Sequence, residues 1–160
     1  MSVIRTRITG RVKEMLETIT RVGGYRTQIG EHVHVGVSAG EAEQVPSIWL
    51  TPGTDRGTVE YGNALNESEY EILAAVNSRD TLIDGYVADP SAQWVIVDAL
   101  IADVRQCMET PDATLNSLIE RLRYESAEPA YREDGGELCG ARIRYTIQYR
   151  IAKGDPDNLP

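Results

Sequence analysis

With 160 residues, 41% of them hydrophobic, the chain is long enough for one domain with a sizeable core, and it holds no apolar run of the roughly 18–20 residues that cross a membrane. A formal net charge of −9 argues against sequence-independent gripping of nucleic acid, which rests on clustered Lys and Arg. Cys107 and Cys139 make no disulfide framework and suit a reducing cytoplasm, and Met1-Ser2-Val3-Ile4-Arg5 lacks the apolar stretch of a secretory signal.

Taken in chain order, Ile4, Ile8, Val12, Met15, Leu16 and Ile19 recur at three- and four-residue spacing. They predict an amphipathic helix over Val3–Val22, ended by Gly23-Gly24. The alternation Val33, Val35, Val37 predicts a strand, with His32 and His34 on its other face. Ser38 to Gln44 is polar and acidic and reads as a loop. A short strand, Ser47-Ile48-Trp49-Leu50-Thr51, is bracketed by Pro46 and Pro52, and a loop rich in Gly, Asp and Asn is expected from Gly53 to Asn66. A third strand from Ser68 to Asn77 alternates Tyr70, Ile72, Ala74 and Val76 with Glu69, Glu71, Leu73 and Ala75.

Asp89-Pro90 is a helix-start signal, because proline at the first helical position gives up an N–H that would be unpaired anyway. The helix runs from Ser91 to Met108, with Trp94, Val97, Ile101, Val104 and Met108 as its stripe, widened by Ile96 and Leu100, and Thr110-Pro111 ends it. A helical turn near Ala113–Ser117 leads to a strand from Ile119 to Ala127, interrupted by Pro129. The turn Glu133-Asp134-Gly135-Gly136 joins that strand to the last one, Leu138–Ile151. That last strand is cleanly two-faced. Cys139, Ala141, Ile143, Tyr145, Ile147, Tyr149 and Ile151 share one side; Gly140, Arg142, Arg144, Thr146, Gln148 and Arg150 share the other. The fold class is α+β, in the order α-β-β-β-α-β-β. A mixed, largely antiparallel sheet carries two main helices on one face and a long C-terminal hairpin, all within a single domain over residues 1–160.

Side chains that carry chemistry are few. His32 and His34 share a strand face but need further ligands, Cys107 or Cys139 among them, before they hold a metal; two solvent-facing polar residues are the simpler reading. Glu67, Glu69 and Glu71 share a face as well, and like charges at that spacing mark a solvated surface. Gly36-Val37-Ser38-Ala39-Gly40 has the Gly-x-Ser-x-Gly shape of a nucleophile elbow. It runs into an acidic loop rather than a helix, and both histidines precede it. No catalytic, cofactor or metal residue is assigned. Arg142, Arg144 and Arg150 offer either an anion-binding face or partners for acidic neighbours such as Glu120, Glu125 and Glu128, and pairing is the favoured reading.

The element order and the closing run Ala141-Arg142-Ile143-Arg144-Tyr145-Thr146-Ile147-Gln148-Tyr149-Arg150, followed by Gly154-Asp155-Pro156, resemble the tail terminator (tail completion) proteins of long-tailed bacteriophages. Arg121-Leu122-Arg123-Tyr124-Glu125-Ser126-Ala127-Glu128-Pro129 is similar to the penultimate strand of that family. The resemblance implies a non-enzymatic virion protein without cofactor, present in the host cytoplasm during assembly. It would form a ring of six subunits on the tail tube, partnered by the tube protein and a neck or head-completion protein, with DNA passing through the lumen unbound. It further implies that subunit and tube contacts come from the hairpin (Arg142, Arg144, Gln148, Arg150), the acidic loop (Glu41, Glu43) and the Gly53–Asn66 loop (Asp55, Arg56). Neck proteins of the same particles share much of the pattern, and a small cytoplasmic hydrolase is the remote alternative.

Overall fold

A five-stranded sheet in the order β1-β2-β3-β7-β6 carries both helices on one of its faces. The computed structural model describes residues 3–36, 45–60, 63–78, 82–83, 86–87, 93–109, 115, 118–131, 138–152, 154–155 and 157–159. Helix α1 spans Ile4–Leu16 and α2 spans Gln93–Glu109; the strands of the main sheet are β1 (Val33–Val35), β2 (Ser47–Glu60), β3 (Asn63–Asn77), β6 (Arg121–Tyr131) and β7 (Leu138–Ala152). Two-residue strands β4 (Leu82–Ile83) and β5 (Tyr86–Val87) pair with each other and were not foreseen. Among the described residues, only the β1–β2 pairing is parallel. Among the described residues, no helix is long and apolar enough to cross a membrane.

The period-two residues of the strands and the period-3.6 stripes of the helices meet in one core. Ile4, Ile8, Val12 and Leu16 of α1 and Ile96, Leu100 and Val104 of α2 bury against Ile48 and Leu50 of β2, Tyr70, Ile72 and Ala74 of β3, and Ala141, Ile143, Tyr145 and Ile147 of β7. Each Ile, Leu or Val among them contributes about 1.5–3 kcal/mol on leaving water.

Four expectations are corrected. The first helix stops at Leu16 rather than near Val22, and Thr18 takes the Met15 carbonyl with its own hydroxyl at 2.6 Å, a side-chain bond that competes with helix propagation. Residues 53–60 and 63–66 are strand rather than loop: β2 runs on to Glu60 and β3 begins at Asn63. Gly, Asp and Asn usually signal turns, but here β7 pairs with β3 over its whole length and gives the outer hairpin a template. Pro52 and Pro129 both lie inside strands. Among the described residues β2 has no strand partner beyond Leu50 on its β1 side and β6 is an edge strand, so neither proline removes an essential ladder donor. Trp94 is 64% exposed, whereas Ala99, Asp103 and Cys107 are buried, so the core-facing stripe of α2 is rotated from the one expected. The expected turns at Asp89-Pro90, Thr110-Pro111 and Glu133–Gly136 lie outside the described residues.

Asp103 is the one charged side chain among the described residues buried to 0% exposure. It accepts hydrogen bonds from the Thr27 amide at 2.8 Å, the Thr27 hydroxyl at 2.6 Å, the Arg26 amide at 3.1 Å and the Arg26 guanidinium at 3.0 Å. This clasp ties the irregular segment after α1 to α2 and satisfies backbone donors that would otherwise be orphaned in the interior.

Candidate interaction surface

The face of the sheet opposite the helices is built from the second set of alternating residues. On β3 it presents Glu67, Glu69 and Glu71. Cross-strand register sets Gln148, Thr146 and Arg144 of β7 directly beside them, and Arg56 of β2 opposite Glu67. Arg142 and Arg144 both pair with Glu71, at 3.3 and 3.4 Å, and Arg144 also reaches Glu128 at 3.8 Å. Arg150 pairs with Glu120, Gln148 donates to Glu67, and Arg56 lies 3.8 Å from Glu69. Glu125 pairs with Arg123 of its own strand, not with an arginine of β7. Exposed pairs of this kind are worth about 0–1 kcal/mol each, so this lattice fixes side-chain positions more than it stabilises the fold. A groove of about 730 Å³ runs across the face, with Thr54, Arg56, Glu69, Arg123, Glu125 and Arg144 among its walls.

Arg142, Arg144, Gln148, Arg150 and Arg56 are thus brought together on one surface. Asp55 is not with them. It faces the helix side, where its carboxylate accepts from Ser68 at 2.5 Å and, through both oxygens, from the Tyr149 hydroxyl at 3.1 Å. Glu41, Glu43 and Ser38 lie outside the described residues, so the Gly-x-Ser-x-Gly motif is represented only by Gly36. His32 and His34 are separated by role: His32 bonds the Pro46 carbonyl at 3.2 Å, and His34 stacks on Trp49 with ring centroids 5.9 Å apart. Among the described residues no cluster of three side chains suits a metal ion. Cys107 and Cys139 are buried in the core, and burial raises both thiols, Cys139 to about 11.

Two features escaped sequence reasoning. Asp103 carried a readable signal, being a carboxylate between Leu100 and Cys107 inside an apolar stripe. The Asp55–Ser68–Tyr149 cluster carried none, because it joins three strands whose pairing was not yet known.

Tyr149 sits mostly buried beside the Asp55 carboxylate, and burial first, then that charge, pushes its phenol from 10.0 up to about 12. Each group raised in this way contributes stability that is complete below its ordinary pKa and is lost as pH rises through the raised one. Thermal melting temperature is therefore expected to fall from about pH 9, where the unfolded Cys139 thiol begins to ionise, and to keep falling towards 12. Tyr149→Phe is expected to flatten the upper part of that decline; a melting temperature independent of pH across the window would refute the assignment.

No protein-family model matches the chain, and no curated protein matches it. Among solved structures it is similar to a chain described as the virion of a native gene transfer agent particle, with 9% identity, a TM-score of 0.46, and coverage of 89% of this chain and 93% of that one.

Proposed function

We propose that this chain is a structural protein of a long-tailed phage particle, a tail terminator that caps the head-proximal end of the tail tube as a six-subunit ring. In that role it stops tube polymerisation and offers the docking face for the head, and its work is mechanical rather than catalytic. The observation that carries the reading is the β6–β7 pair that follows α2 and completes the main sheet, together with a charged sheet face that its own helices leave uncovered. A closed ring needs a heterologous interface, one patch of each subunit meeting a different patch of the next. A face bearing fixed charges of both signs suits such a contact because it sets register and rejects wrong partners. The tube protein, the neck protein and DNA passing unbound through the lumen are the partners of this proposal, and the virion is its location.

Deletion of the gene in its parent phage, followed by electron microscopy of the lysate, tests it. Overlong tubes beside DNA-filled tailless heads are expected. Tails of normal length that fail to join heads would move the protein to the neck, and intact virions would end the structural reading. Reversing Arg142 and Arg144 to Glu is expected to leave a folded protein, since both arginines are substantially exposed, and to abolish complementation of the deletion. A folded double variant that restores full infectivity would remove this face from the interface.

A further inference from the structure

The inner strands β3 and β7 pair without a break from Asn63↔Ala152 to Asn77↔Leu138. Each of their outer neighbours is broken once. On β2, Pro52 pairs with Tyr70 and Asp55 with Ser68, so Gly53 and Thr54 together face Glu69. On β6, Tyr124 pairs with Tyr145 and Ser126 with Arg144, which leaves Glu125 as the extra residue. Tyr70 and Tyr145 are themselves partners across the centre. Both bulges therefore adjoin the Pro52–Tyr70–Tyr145–Tyr124 row, one at each flank and on opposite sides of it.

A bulge bends its strand and increases the local twist. Two bulges bordering one row bend both flanks within about a residue of each other, and the groove of about 730 Å³ lies there, with Gly53, Thr54, Glu69, Glu125 and Arg144 around it. Each bulge is also held from behind by an arginine of a different helix. Arg5 of α1 donates to the Gly53 carbonyl within the first bulge. Arg105 of α2 stacks over Tyr124, the residue before the second, with its guanidinium carbon 3.9 Å from the ring centroid, and Tyr124 meets Tyr145 edge-on at 5.8 Å.

We propose that the two bulges form one crease across the sheet, and that the helix layer sets its angle through Arg5 and Arg105, so that the charged groove on the far face widens or narrows with the position of the helices. The device is independent of what the groove meets and of the tail-terminator reading.

The test uses the full chain with nitroxide labels at Arg56→Cys and Arg123→Cys, on opposite flanks of the groove; Cys107 and Cys139 are buried. Pulsed electron resonance then reads the distance between the labels. Arg5→Ala combined with Arg105→Ala is expected to shift the mean distance by more than the width of the parent distribution. Arg7→Ala, an exposed change on the same helix as Arg5, is expected to leave it in place. A folded double variant with the parent distribution overturns the proposal. Should the double variant fail to fold, each single variant is read alone, and either one leaving the distance unchanged overturns the coupling through that arginine.

Discussion

Asp103→Ala is expected to cost about 3 kcal/mol, read as a fall in the urea midpoint at unchanged slope. The substitution removes an acceptor that serves four donors and leaves the Thr27 amide and hydroxyl in a fully buried position with nothing to bond. The Arg26 guanidinium, 44% exposed, is rehydrated and adds less to the loss. Asp103→Asn keeps one acceptor oxygen and is expected to lose less than Asp103→Ala. Equal losses for the two variants would show that packing, not the hydrogen bonds, makes the site costly to change.

Gly140→Ala is expected to be comparably damaging, at about 3 kcal/mol, for a different reason. Gly140 lies on β7 in the middle of the sheet, between Ala75 of β3 and Ala130 of β6. A methyl group there would collide with the Ala74 carbonyl oxygen, and that atom belongs to the backbone of the central ladder, so it cannot swing aside. Gly10→Ala, in the body of α1, meets nothing within 4 Å and is expected to stabilise the protein by about 1 kcal/mol. Opposite signs in the chemical denaturation of the two variants would establish the contrast; a neutral Gly140→Ala would mean that the β3–β7 ladder tolerates a local shift.

What could be read from the sequence divides along the range of the interactions involved. The two-faced pattern of residues 138–151 located β7 and sorted its side chains correctly, because alternation is a property of a single strand. The same holds for Tyr70, Ile72, Ala74 and Val76 on β3 and for the α1 stripe. The outer half of the β2–β3 hairpin was missed because its Gly, Asp and Asn residues prefer turns when considered alone. Asn63 and Asn66 are strand here through pairing with β7 residues more than eighty positions away, as Asn66 pairs with Tyr149, and the Gly and Asp residues of β2 pair in turn with β3. The exposed position of Trp94 was missed for a related reason: an apolar residue at helical spacing joins the core only if a neighbouring element covers it, and the rotation of α2 is set instead by Asp103 facing the segment after α1 and Cys107 facing the last turn of α1. Arg142, Arg144, Gln148 and Arg150 were placed on one face correctly by parity. The helix-side position of Asp55 was not legible, because the bulge that returns it there is invisible in local sequence.

The uninterrupted β3–β7 ladder also bears on how the molecule comes to be folded. β2 and β3 are near neighbours in the chain and can close as a local hairpin, and β6 and β7 can do the same. The central seam instead joins partners from Asn77↔Leu138 out to Asn63↔Ala152, with α2 threaded between them. Long-range pairings of this sort carry a large loop-closure cost and slow folding. On the ribosome the inner edge of β3 is therefore expected to stay open until β7 has emerged. The middle of the finished sheet is expected to form after its two flanking hairpins, and the interval before β7 docks is when the open edge of β3 is most exposed to pairing with the wrong strand.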